Sequence, residues 1–288
     1  MMKTIVSFKM LSNDFPFPSK ALLLACALSI VLAGCDKPAT NSNNNAPQSA
    51  QPSVDVAQLI ERYRALDDSR DSTMKLRAKI EGAVGGPPEV QMNIYRKRQA
   101  DGSKIMLIEF TAPDQERDRD AIVTTSPQGE IEATRYIQAN DSFASVKGSV
   151  NEDSLFGMTL QELVDGQPEK YDFKFVGEET VNSKPAYRVE GTLKPGADSK
   201  FSRLVMLLSK ENSAALVSEF YDNHNELIRR LTLDRMEQAG GHWTRMRWTV
   251  ENLARQKKIV FETLEAKYDQ NLSDAIFARE HLKKLASK

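Results

Sequence analysis

From Met74 to Tyr268 the chain is a succession of short segments that alternate apolar and polar side chains and are separated by turn residues. The first shows the rule. Met74, Leu76, Ala78 and Ile80 alternate with Lys75, Arg77, Lys79 and Glu81, the period of a strand with one buried and one solvated face. Strand patterns follow at 90–98 after Gly85-Gly86-Pro87-Pro88, at 104–110 after Asp101-Gly102, at 121–125, and at 130–138 after Ser126-Pro127-Gln128-Gly129. A second series covers 171–177, 185–193, 200–209, 214–221, 227–236, 242–253 and 255–268. Strands in series joined by local turns predict a mainly β protein, a large curved antiparallel sheet with a few helices, rather than alternating parallel units.

Three stretches have a helical period instead. Val56, Leu59, Ile60, Tyr63 and Leu66 recur at three- and four-residue steps between 54 and 66, with Asp55 placed as the cap. Leu155, Phe156, Met158, Leu160, Leu163 and Val164 are more apolar than one face of a free helix requires, so a helix over 151–164 is expected to cover something. A short helix over 274–285, capped by Ser273, ends the fold.

The N-terminal region is of another kind. Lys20 precedes an apolar run, too short to span a bilayer comfortably, that ends on Leu32-Ala33-Gly34-Cys35. It reads as a secretory signal, and its last four residues resemble a bacterial lipobox. The resemblance implies cleavage before Cys35 and acylation of that residue, against the alternative of an ordinary signal peptide with a chance cysteine. Expected boundaries are a signal peptide at 1–34, a lipidated cysteine and disordered tether at 35–54, and one β domain at 55–288. The tether is rich in Asn, Ser, Gln and Pro and has almost nothing apolar to bury. Asp36 resembles the sorting signal of lipoproteins retained at the inner membrane; the alternative is that it is merely the first polar tether residue.

The two cysteines are Cys26, inside the apolar run, and Cys35, so the expected mature domain has no disulfide, thiol nucleophile or thiolate metal site. Removing the leader, which carries three Lys against one Asp, moves the net charge from -1 to -3 and argues against nucleic acid as a partner.

Several features of the second half resemble the outer-membrane lipoprotein-sorting family, the LolA-like proteins. They are Tyr171-Asp172-Phe173 through Glu179, Lys184 through Glu190, Glu219-Phe220-Tyr221-Asp222 through Ile228, His242-Trp243 through Asn252, and Tyr268 through Phe277 with Leu282. The stretch Phe156-Gly157-Met158-Thr159 departs from the Gly-x-Asp-Phe-Ser pattern that many members have in the middle of the chain. The resemblance implies a half-open barrel, lidded by helices, whose concave face holds acyl chains of a lipid or lipoprotein.

Two-faced strands point independently to a cavity or, alternatively, to strands covered on both sides. Ile105 to Phe110, Lys200 to Leu208 and His242 to Val250 carry apolar residues on both parities. The candidate cavity residues are Leu107, Phe110, Met206, Leu208, Met246 and Trp248, and the candidate lid residues are Leu155, Phe156, Met158, Leu160 and Leu163.

Catalytic signatures are missing. His224, His242 and His281 have no metal-ligand spacing, and there is no nucleophile elbow, phosphate loop or dinucleotide fingerprint. Asp114, Glu116, Asp118 and Asp120 alternate with Arg117 and Arg119, which predicts a solvated loop or edge strand. Arg245 and Arg247 either clamp an anion at the cavity mouth or face solvent. Arg96-Lys97-Arg98 and Arg255-Gln256-Lys257-Lys258 either meet anionic headgroups or block edge pairing.

The expectation is a non-enzymatic, cofactor-free and metal-free periplasmic lipoprotein that binds acyl chains, attached to the membrane by its N-terminal lipid, with the inner membrane favoured. An envelope transporter or other membrane protein is a further partner. The alternative is a protein-interaction module or envelope-stress sensor using the same fold without lipid cargo.

Overall fold

Among the described residues thirteen antiparallel strands share one sheet, and its order records a sheet whose first strand lies in the middle. The computed structural model describes residues 54–81, 87–147 and 168–287. From the central β1 (Asp71–Glu81) the chain steps outward through β2 (Glu89–Arg98), β3 (Lys104–Ala112), β4 (Ala121–Thr125) and β5 (Ile131–Ile137) to the edge strand β6 (Ser142–Lys147). It resumes at the opposite edge with β7 (Tyr171–Val181). It then returns through β8 (Lys184–Leu193), β9 (Arg203–Ser209), β10 (Ala215–Tyr221), β11 (Leu227–Ala239) and β12 (His242–Asn252) to β13 (Lys257–Tyr268), which pairs with β1. The sheet curls until its ends approach: a methyl group added to Gly129, in the β4–β5 turn, would meet the Glu169 side chain just ahead of β7.

Directly paired residues share a face, so the register extends the alternation of single strands into one surface. Phe110 lies opposite Met92, Met92 opposite Leu76, and Ala78 opposite Phe261. Phe261 in turn faces Trp248, and Val250 faces Leu231. Leu231 pairs with Ser218, Ser218 with Met206, and Met206 with Val189. This inner face therefore runs unbroken from β3 to β8. Helix α1 (Val56–Arg64) lays Leu59 and Ile60 on its β7–β10 end. The helix starts where expected because Asp55 accepts the Gln58 N–H at 3.0 Å.

The outer face divides in two. Over β3 and β4 it is apolar, and Leu107 and Ile122 are covered by Phe277, Leu282 and Leu285 from the 3₁₀ turn Asp274–Phe277 and helix α2 (Arg279–Leu285). Over β1 and β11–β13 it is a charged ladder: Glu262 pairs with both Arg77 and Arg247, and Arg247 also approaches Asp234 at 3.9 Å.

Several expectations are corrected here. The two-faced pattern of β3 comes from coverage on both sides, with Met106, Ile108 and Phe110 inside and Leu107 outside under α2. Leu107 is therefore on the outer face, apart from the other candidate cavity residues. Strand β9 is likewise buried on both parities, with Leu204, Met206 and Leu208 in the α1 cluster and Leu207 against Ala186 and Val217.

The mixed-charge run is solvated only in part: Asp114 and Asp118 are exposed, while Glu116 and Asp120 are buried. It forms a 3₁₀ turn, Asp114–Arg119, in which Glu116 is 4% exposed, and the following Asp120 is 6% exposed. The expected 274–285 helix is split because Ala278 is extended, so Ser273 caps the 3₁₀ turn alone. Strand β6 has no counterpart in the sequence reading: Ser-Phe-Ala-Ser-Val-Lys is short and half polar, and the chain enters it through Asp141 at φ 48°. The expected helix over 151–164 lies outside the described residues, as do the leader, Cys35, Asp36 and the tether.

Candidate functional site

The inner face carries the two most populated clusters of buried apolar residues among the described residues. One part, on β1–β5, β12 and β13, contains Met92, Met106, Phe110, Ile108 and Phe261, with Trp248 and Leu231 packed against it. The other, on β7–β11, contains Val189, Leu204, Met206 and Leu208 beneath α1, and Leu231 touches this part too. Three thioethers in such a surface give it side chains that adapt to an irregular guest.

The sequence-predicted residues fall as follows. Phe110, Met206 and Leu208 are buried on this face, and Trp248 is partly buried there, stacked on Phe261 with centroids 5.0 Å apart and rings 7° from parallel. Met246 is half-buried at an irregularity where the β11–β12 register slips. Leu107 is on the opposite face. Leu155, Phe156, Met158, Leu160 and Leu163 lie outside the described residues.

Met92, Met106, Leu231, Val250 and Phe261 lie on the same face and are not among the residues read from the sequence. Apolar residues on both parities mark doubly covered strands; a one-faced strand such as β2 contributes to the inner face equally well.

Polar groups mark the boundaries of this face. Arg229 is buried on it, its guanidinium carbon 5.5 Å from the Phe201 ring centroid. Arg247 belongs to the charged outer ladder, so the solvent-facing reading of that residue holds.

Beside β3, the Phe110 N–H donates to Asp120 Oδ1 at 2.7 Å. Burial pushes the Asp120 carboxyl up from 3.8 to about 7. The Phe110 N–H opposes that shift, the Glu109 charge adds to it, and Arg117 and Arg135 oppose it. Glu109 itself accepts from Asn93 Nδ2 (3.2 Å) and the Tyr95 hydroxyl (3.1 Å). Burial and then the Glu109 charge raise the Tyr95 phenol to about 12.

At the start of β12, His242 places Nδ1 3.0 Å from Asp68 Oδ1 and Nε2 3.1 Å from Asp269 Oδ2. It thereby ties the segment after α1 to the end of β13. Among the described residues no group of three His, Cys, Asp or Glu side chains is arranged to hold a metal ion.

The model of a DUF1329-like family of uncharacterized proteins matches residues 102–284, more than half of the chain. No curated protein matches it. Among solved structures, a DUF1329 family protein from Desulfovibrio piger is 25% identical, with a TM-score of 0.71 over 78% of this chain and 96% of that one. A domain described as an outer membrane lipoprotein-sorting protein, from Vibrio parahaemolyticus, is 19% identical with a TM-score of 0.68 over 78% and 97%. A LolA superfamily protein from Nitrosomonas europaea is 12% identical with a TM-score of 0.59 over 78% and 98%. The last two share this chain's fold.

Proposed function

We propose, for a chain that belongs to this DUF1329-like family and has the fold of LolA superfamily proteins, that the inner face of the sheet takes up the acyl chain of a lipid or lipoprotein in the cell envelope. The supporting observation is the largely apolar face itself, which includes Ser218 and Arg229 and joins the β1–β5 cluster to the α1 cluster through Leu231. An acyl chain entering against such a face gains about 0.8 kcal/mol per buried CH₂.

The side chains of this face are already withdrawn from water. Uptake therefore exchanges one set of apolar contacts for another, and the net affinity is the difference. A small difference keeps loading reversible, which a carrier requires. In this reading the protein acts by burial without covalent chemistry. Acylated Cys35 anchors it, Asp36 favours the inner membrane, and the tether that runs to residue 54 gives the domain its working radius.

The test uses Trp248, one of two tryptophans in the chain. In the full chain with Trp243→Phe, a phospholipid brominated on its acyl chain is expected to quench Trp248 emission saturably, whereas the same lipid without bromine leaves it unquenched. Absence of quenching in the folded protein overturns the proposal. The interaction-module reading draws on β7, an edge strand that exposes Phe175 and Val176 beside its backbone edge. Crosslinking from position 176 to a membrane protein, with Trp248 unquenched, would favour it.

A further inference from the structure

Beside β1 and β2 the rim of the sheet holds a cleft of about 450 Å³ that is separate from the inner face. Three chain segments build it: residues 68–71 leading into β1, the 97–100 stretch at the β2–β3 turn, and Asn271 with Leu272 beyond β13. Its frame is rigid. Asp71 pairs with Lys97 across the sheet, the Arg98 N–H donates to Arg70 O at 2.8 Å, and the Arg70 N–H donates to Asp269 Oδ1 at 2.8 Å.

The acids in the wall are already engaged. The two Asp71 carboxylate oxygens accept the N–H groups of Gln270 (2.8 Å) and Leu272 (3.1 Å), and Asp68 is held by His242. Two of the cations retain capacity. Lys97 Nζ donates to Leu272 O at 2.8 Å and pairs with Asp274, which leaves one of its three N–H bonds. The Arg70 guanidinium stands 3.5 Å from Asp269 and is 71% exposed, so most of its five donors remain available. Arg98 adds a third positive charge to the lining.

We propose that this cleft binds a phosphoryl group, either free in solution or on a lipid headgroup. A guanidinium fork beside an ammonium is the donor set that recognises phosphate oxygens, and here it offers them donor geometry more than excess charge, because Asp68 and Asp71 in the same lining offset two of its three cations. The volume exceeds what a bare ion fills and leaves room for a small ester group against Ala100 and Leu272. The proposal stands apart from the acyl-chain reading, because the cleft and the inner face share no residue.

The full chain in non-ionic detergent is titrated calorimetrically with inorganic phosphate, with glycerol 3-phosphate, and with a short-chain phosphatidylglycerol. Each titration is repeated with Arg70→Glu and Arg70→Gln. Both variants keep the Arg70 backbone hydrogen bond and change an exposed side chain, so both are expected to fold.

The expected result is saturable binding of at least one probe, weakened about tenfold or more by Arg70→Glu and less by Arg70→Gln, and weakened further by added salt. Binding of phosphate or glycerol 3-phosphate identifies a soluble source, and binding of the lipid alone identifies a headgroup. Two results overturn the proposal: no saturable binding of any probe, or equal binding by Arg70→Glu. The second outcome with the lipid would assign its binding to the inner face and leave the acyl-chain reading intact.

Discussion

Replacing Asp120 by Asn isolates the cost of a charge buried at the mouth of β4. The carboxyl is 6% exposed, accepts one N–H from Phe110, and has its protonation midpoint raised from 3.8 to about 7. In the unfolded chain it ionises near 4, so through the window from about pH 4 to about pH 7 the native state holds a proton that the unfolded state has released. Its contribution to stability is therefore full below about pH 4 and is lost as pH rises towards 7.

A shift of about three units at 1.36 kcal/mol each sets a ceiling of about 4 kcal/mol, and solvent screening at this rim position brings the expectation to about 2 kcal/mol. Asn keeps the oxygen that accepts from Phe110 and never ionises. Urea melts should thus find Asp120→Asn about 2 kcal/mol more stable than the parent near pH 8, which is a rise in Tm of about 4–8 °C for a domain of this size. Near pH 4 the two proteins should coincide. A variant less stable at pH 8, or a stability difference that does not change between those pH values, refutes the account of Asp120 as a carboxylate destabilised by burial.

The other predictions concern what holds the sheet's two faces. Leu282→Ala, at a site 1% exposed over Leu107 and Ile122, should cost about 2–4 kcal/mol in chemical denaturation. Leu107→Ala should cost a similar amount and leave quenching of Trp248 by brominated lipid unchanged, since Leu107 lies on the outer face; lost quenching in a folded variant would contradict that placement. Asp71→Ala strips the acceptors from the Gln270 and Leu272 N–H groups. About 2–4 kcal/mol of stability should go with them, and hydrogen exchange at 270 and 272 should accelerate even under conditions where the rest of β13 stays protected.

Alternation, turn residues and caps act over a few positions, so the sequence by itself determined that β1 to β5 and β7 to β13 would be antiparallel strands, roughly where each begins, and that Asp55 would start α1. The same locality explains why Ser142–Lys147 passed unnoticed: an edge strand with half its side chains polar carries no strong period.

The coverage of each face was decided only in three dimensions. Leu107 and Phe110 are equally apolar in sequence, yet they fall on opposite faces of β3, and only the folded chain brings α2 from its C-terminal end over the first and the β1, β2 and β13 side chains beside the second. Asp120 looked solvated because its neighbours alternate in charge, and it is buried because the 3₁₀ turn before it packs on β3. The rim cleft gathers Arg70, Lys97 and Asn271 through the β1–β2 pairing and the segment that Asp71 holds beyond β13. Burial depends on contacts between residues far apart in sequence, and a single strand's pattern records that a face is apolar without recording what lies against it.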